Sequence, residues 1–109
     1  MRGGEGEVDV GKLVRDGIPE VIRANGEEPV TRVLSEEEYA GAVLEKVLEE
    51  AAELHAATSD EERLAEAADV YEVLVAVAAS CGSTIDEVVR RAAAKRAERG
   101  GFAGRVWLD

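Results

Sequence analysis

Glu66-Ala67-Ala68-Asp69-Val70-Tyr71-Glu72-Val73-Leu74-Val75-Ala76-Val77-Ala78 is the stretch that decides the fold. Val70, Tyr71, Leu74, Val75, Val77 and Ala78 point in nearly every direction around a helix axis, and a helix apolar all round belongs in an interior. Glu66, Asp69 and Glu72 share one narrow face, which Val73 and Ala76 continue toward the C-terminus. The acids thus enter an element expected to be largely buried. A carboxylate there must be paired, protonated or bound to a metal, because leaving it bare costs several kcal/mol.

Upstream lies a second acidic pair, Glu50 and Glu53, in Glu49-Glu50-Ala51-Ala52-Glu53. Residues three apart share a helix face, so each pair aims two carboxylates in one direction. Two helices packed side by side would bring Glu50 and Glu53 opposite Glu66 and Asp69. Four like charges at one point repel unless a cation lies between them. An oxygen-only set of this kind suits Mg²⁺, with Mn²⁺ as a substitute. Local ion pairing is the competing account, since Lys46 precedes Glu50 by four residues and Arg63 precedes Glu66 by three. Two bases cannot neutralise Glu49, Glu50, Glu53, Glu66, Asp69 and Glu72 together.

The remaining elements follow from caps and breakers. Pro19 suits the first turn of a short helix from about Ile18, and Gly26 suits its stop. Glu27 to Leu34 reads as extended, with a short strand possible at 30–34. Ser35 and Glu38 form a capping-box pattern at the start of the first long helix. Leu44, Val47, Leu48, Ala51 and Leu54 make its apolar stripe. Thr58-Ser59-Asp60 breaks that helix and supplies a cap for the second, from about Glu61 to Cys81, which Gly82 ends. A third long helix is expected from Thr84, with Glu87 completing another capping box, to Gly100-Gly101. The tail carries Val106, Trp107 and Leu108, and 104–108 is a second candidate extended segment, covering the bundle or pairing with 30–34. The expectation is an all-α bundle of three to four helices, one domain over 12–109, after a loose Gly-rich arm at 1–11.

Composition narrows the function. With 109 residues and a formal net charge of −11, the chain lacks the basic face that nucleic acid or an anionic membrane requires. A single cysteine, Cys81, forms no internal disulfide, and no Cys/His cluster offers a zinc site. His55 has no Cys or Ser partner nearby and reads as an ordinary helix residue. No apolar run is long enough to span a bilayer, and the N-terminal residues do not resemble a signal peptide. A soluble cytoplasmic protein is the expectation.

Glu49-Glu50-x-x-Glu53 followed after twelve residues by Glu66-x-x-Asp69 resembles the EExxE…ExxD signature of the all-α nucleoside triphosphate pyrophosphatases. That superfamily includes MazG, the all-α dimeric dUTPases and dCTPases, and phosphoribosyl-ATP pyrophosphohydrolase. Lys12-Leu13-Val14-Arg15-Asp16-x-Ile18-Pro19 is similar to the opening of its phosphoribosyl-ATP pyrophosphohydrolase-like branch. Glu98-Arg99-Gly100-Gly101-Phe102, after Lys95, resembles that branch's closing motif. The resemblance implies Mg²⁺-dependent hydrolysis of the α–β phosphoanhydride of a nucleotide, giving a monophosphate and pyrophosphate. It makes Glu50, Glu53, Glu66 and Asp69 metal ligands. Glu49 would help hold a second ion, or orient and deprotonate the attacking water.

Substrate phosphates need cations that the acidic helices lack. Lys12 and Arg15 at one end of the chain, Lys95, Arg96 and Arg99 at the other, and Lys46 beside the acids are the candidates. Lys95 and Arg99 are four apart and share a face, which suits a clamp on phosphate oxygens. Phe102 or Trp107 could stack on a base, with packing as the alternative. Hydrolysis of phosphoribosyl-ATP is a narrower enzyme reading. A non-catalytic acidic bundle that binds a nucleotide or a protein is the third. The apolar surface of the helices exceeds what a lone three-helix unit hides, so a homodimer or higher homo-oligomer is expected.

Overall fold

The computed structural model describes residues 11–109 and contains four helices in order: α1 (Ile18–Ala24), α2 (Glu36–Ala56), α3 (Asp60–Ser80) and α4 (Ile85–Arg99). No strand occurs among the described residues, so the chain is all-α. The expected arm at 1–11 lies, apart from Gly11, outside them.

Two helix starts are held by side chains. The Ser35 hydroxyl accepts from the Glu38 N–H at 3.1 Å, and the Ser35 N–H donates to Glu38 Oε1 at 3.0 Å. That reciprocal box fixes where α2 begins. The backbone bond from Ser35, then Arg32, hold the Glu38 carboxyl below its usual pKa. At α3 the Ser59 hydroxyl accepts from the Glu62 N–H, while Thr58 donates to Glu62 through both its N–H and its hydroxyl. Glu62 therefore reaches one residue beyond the cap.

Gly26 and Gly82 end α1 and α3 with φ of 90° and 74°. After α3 the Ser83 N–H bonds the Ala78 carbonyl and the Gly82 N–H bonds that of Ala79, a Schellman ending. The left-handed residue in such an ending is glycine because a Cβ there is strained.

The α4 start differs from expectation. Thr84 is its N-cap, but its side chain makes no capping bond. Glu87 instead turns along the helix to Arg90 and Arg91. Two guanidinium groups on the same surface outcompete a single backbone N–H for that carboxylate.

Helix packing is sparse. α2 packs on α3 across the three-residue link 57–59, and α3 packs on α4, while α1 packs on no other helix. Val43 is fully buried and Ala78 nearly so. The face of α2 that enters the hairpin is Tyr39, Val43, Lys46, Val47, Glu50 and Leu54, all buried or half-buried.

Several packing expectations need correction. Of the apolar stripe expected on α2, Leu44, Leu48 and Ala51 face solvent and only Val47 and Leu54 are half-buried. The stripe is rotated away from α3 because a second face, built around Val43, makes the contact. α3 is not enclosed on all sides: Leu64 and Tyr71 are exposed and most of its apolar residues are half-covered. Glu72 is exposed and stands apart from Glu66 and Asp69. The candidate segments at 30–34 and 104–108 neither form strands nor pair. Val30, Val33, Val106, Trp107 and Leu108 are almost fully exposed. Extended backbone makes a strand only when a neighbour supplies ladder bonds, and neither segment has one.

A candidate metal centre on the helical hairpin

The α2–α3 hairpin brings the acids together. Oxygens of Glu49, Glu50 and Glu53 lie within 4.8 Å of one another, and so do oxygens of Glu50, Glu66 and Asp69. Glu50 belongs to both groups and is the buried member of the cluster. The helical spacing explains the grouping. Glu50 and Glu53 sit on one face of α2, Glu66 and Asp69 on one face of α3, and the short link turns these faces toward each other.

The electrostatics are strained. Burial, then repulsion from Glu50, Glu66 and Glu49, push the Glu53 carboxyl above its usual pKa, and Lys46 only partly offsets them. Glu66 Oε1 is buried and has no hydrogen-bond partner among the described residues. A buried carboxylate oxygen without a donor is costly, and a hard divalent cation is the partner that oxygen-only ligands fit. The five acids therefore suit such an ion by their own chemistry.

Three of the bases named from the sequence meet these acids. Lys46 Nζ lies 3.2 Å from Glu49 and 3.5 Å from Glu50, with its side chain mostly buried. Arg15 Nη2 donates to Asp69 Oδ1 at 2.7 Å, and Lys12 Nζ reaches Glu49 Oε2 at 3.4 Å. All three bind carboxylates here. Lys46 fulfils the local pairing expected for it, whereas Arg63 pairs with Asp60 and leaves Glu66 alone.

Lys95 and Arg99 are placed differently. Both are exposed on α4; Lys95 has no ion pair among the described residues, and Arg99 lies 3.7 Å from its neighbour Glu98. One protomer does not bring them to the acids. Phe102 and Trp107 stand in solvent.

No sequence pattern signals the Arg15–Asp69 pair, whose partners are 54 residues apart. Nor does any pattern signal the cleft of about 460 Å³ between residues 11–13 and α2, lined by Lys12, Leu13, Ala42, Glu45, Lys46, Leu48 and Glu49. That volume is within the range of small-molecule sites. A smaller hollow of about 330 Å³ lies at the hairpin turn between Glu53, Thr58, Glu62 and Glu66.

An all-α hairpin carrying EExxE on one helix and ExxD on the next defines the class of all-α nucleoside triphosphate pyrophosphatases. Comparison with known families narrows this: residues 13–96 match the phosphoribosyl-ATP pyrophosphohydrolase family, and the chain belongs to it. The matched span holds all five acids, Arg15, Lys46 and Lys95, and leaves Lys12 and Arg99 outside. An uncharacterized protein of Mycolicibacterium smegmatis is 59% identical over 46 residues, which are 42% of this chain and 47% of that protein. The chain thus matches about half the length of that relative. No solved structure matches. Family membership supports a hydrolase of the pyrophosphohydrolase kind that works with a metal ion. No helix among the described residues is long and apolar enough to cross a membrane.

Proposed function

We propose that this chain is a Mg²⁺-dependent nucleoside triphosphate pyrophosphohydrolase that cleaves the α–β phosphoanhydride, with Mn²⁺ able to substitute. The observation that carries this reading is the pair of carboxylate groups sharing Glu50, one containing the partnerless Glu66 oxygen. Glu50, Glu53, Glu66 and Asp69 would hold the metal. When bound, the ion polarises phosphoryl oxygens and lowers the pKa of water.

The chain's own residues do the rest. Glu49 is half-exposed at the edge of the cluster and beside the cleft, so it can orient a water and accept its proton. Lys46 fixes the Glu49 and Glu50 carboxylates from one side and keeps part of the charge balanced throughout. The cleft offers apolar surface from Leu13 and Leu48 for a base or sugar next to Lys12, which can meet the phosphates. Transition-state charge on the phosphates thus falls between acids and bases already in place.

The family's description favours a second enzymatic reading, phosphoribosyl-ATP as the substrate. One assay separates them. The purified protein is offered canonical, deoxy and damaged nucleoside triphosphates and phosphoribosyl-ATP, with and without Mg²⁺, and pyrophosphate is measured. Release from triphosphates supports the first reading, and release from phosphoribosyl-ATP alone supports the second. No release from any compound at high protein concentration leaves only a binding protein.

The partner we propose is a second copy of the chain. Leu44 and Leu48 on α2, Leu64 and Tyr71 on α3, and Phe102 and Trp107 in the tail are exposed apolar residues that a homodimer would cover. Such a dimer also gives Lys95 and Arg99 a route to the acids of the other protomer.

A further inference from the structure

The segment before α1 binds the hairpin in a way that the hairpin does not bind itself. α1 packs on no other helix, and two ion pairs from residues 12 and 15 tie this part of the chain to α2 and α3. Lys46 provides the contrast. It stands on α2 itself, three and four residues before its acids, with its side chain 15% exposed. Lys12 and Arg15 lie 37 and 54 residues from theirs, with side chains 33% and 56% exposed. Lys46 is built in; the other two are attached.

Their position matters as much as their exposure. Asp69, held by Arg15, shares its carboxylate group with Glu50 and Glu66, and Glu49, held by Lys12, shares one with Glu50 and Glu53. Each attached base therefore occupies one corner of a different triplet, the two joined at Glu50. A divalent cation on the same carboxylates repels both bases at short range. A guanidinium binds carboxylate and phosphate with the same planar fork, so a nearby phosphate replaces the lost partner without new geometry.

We propose that Lys12 and Arg15 are exchangeable counter-ions. In the metal-free protein they neutralise Glu49 and Asp69. In the loaded protein they pair instead with phosphate oxygens of the substrate. The inference rests on the metal-site reading above and adds that site loading and phosphate binding are coupled through the segment at 11–17.

The distinguishing measurement is a pair of affinities with opposite signs. Mg²⁺ alone is titrated into wild type and Arg15→Gln by calorimetry, and inorganic pyrophosphate is then titrated in saturating Mg²⁺. Losing the competing cation should tighten Mg²⁺ binding about two- to fivefold, the scale of a partly exposed ion pair. Losing the phosphate partner should weaken pyrophosphate binding about tenfold. Lys12→Gln should give the same opposed shifts at smaller size, and it serves if Arg15→Gln fails to fold. A residue that merely braces the structure moves both affinities the same way. Unchanged or weaker Mg²⁺ binding in the variants overturns the exchange, and so does tighter Mg²⁺ binding with unaltered pyrophosphate affinity. If wild type binds no Mg²⁺ at millimolar concentration, the metal-site reading itself falls and the exchange falls with it.

Discussion

The α2–α3 hairpin and the α4–tail region have similar sequence character, charged residues mixed with apolar ones, yet they end in opposite situations. In the hairpin the charges converge: five acids, with Lys46, Arg15 and Lys12 among them. In α4 and the tail the bases and every large apolar residue except Ile85 face solvent. The acids of the hairpin find counter-charges within their own chain, whereas the exposed face of α4 and the tail is unpartnered among the described residues. On the proposed function, the acidic half of the site is assembled within one protomer, and Lys95 and Arg99 are left for a second copy to place.

The largest expected effect tests the converged region. Glu66→Gln should lower pyrophosphate release about 100-fold or more, because a ligand is lost. The metal-free protein should be no less stable, since the amide can donate to neighbouring carboxylates that now only repel. A melting temperature well below wild type in the absence of metal would make Glu66 structural and break the contrast from the hairpin side.

The open region is tested next. Trp107→Ala should raise the dimer dissociation constant about 30-fold, the cost of removing a central aromatic anchor. Sedimentation across a concentration series reads this directly. A wild-type monomer, or a dimer indifferent to the change, would leave the tail without the proposed role. Lys95→Gln should raise KM about tenfold while leaving kcat within a few-fold, as expected for a charged phosphate contact. Normal steady-state kinetics in that variant would confine the site to residues of the hairpin and the segment before α1.

Helix starts give a finer comparison. Ser35→Ala should cost about 1 kcal/mol in urea denaturation, whereas Thr84→Ala should cost only a few tenths, because the Thr84 side chain makes no capping bond. Equal losses would show that α4 is capped as firmly as α2.

The smallest effect is one of pH. The Glu53 carboxyl titrates above its usual value of 4.5, first through burial and then through its acidic neighbours. Its charged form therefore lowers stability, fully so above the folded-state pKa and not at all below the unfolded value. Metal-free wild type should gain stability as pH falls through the window just above 4.5, by less than about 1 kcal/mol because the residue is largely exposed. Glu53→Gln should flatten that part of the profile. An unchanged profile would mean that the cluster does not repel as its geometry implies.

Much of the fold was legible because its signals are local. Ser35 with Glu38, Ser59, Gly26 and Gly82 act within a few residues of themselves, and each marks the helix end it suggested. Local signals also located the acids, since a spacing of three and a short link leave few ways to arrange them. Facing was harder to read. Val43 and Leu44 are adjacent and both apolar, yet one is buried and the other exposed, and only the neighbouring helix distinguishes them. The Thr84–Glu87 pattern failed for a related reason: the sequence shows that a carboxylate can reach a cap, not that Arg90 and Arg91 will hold it elsewhere. Pairs such as Arg15 and Asp69 carry no pattern at all, because their distance along the chain hides them.

With only Ala57, Thr58 and Ser59 between α2 and α3, the acids of the two helices lie 13 (Glu53 to Glu66) to 20 (Glu49 to Asp69) residues apart in sequence. Contacts between them should form early, because closing the smaller loop loses less chain entropy. The ties from Lys12 and Arg15 close loops of 37 and 54 residues and should come later. Folding is therefore expected to gather the acids before it delivers the cations from residues 12 and 15, and for that interval five carboxylates would face one another with Lys46 as their nearest counterweight.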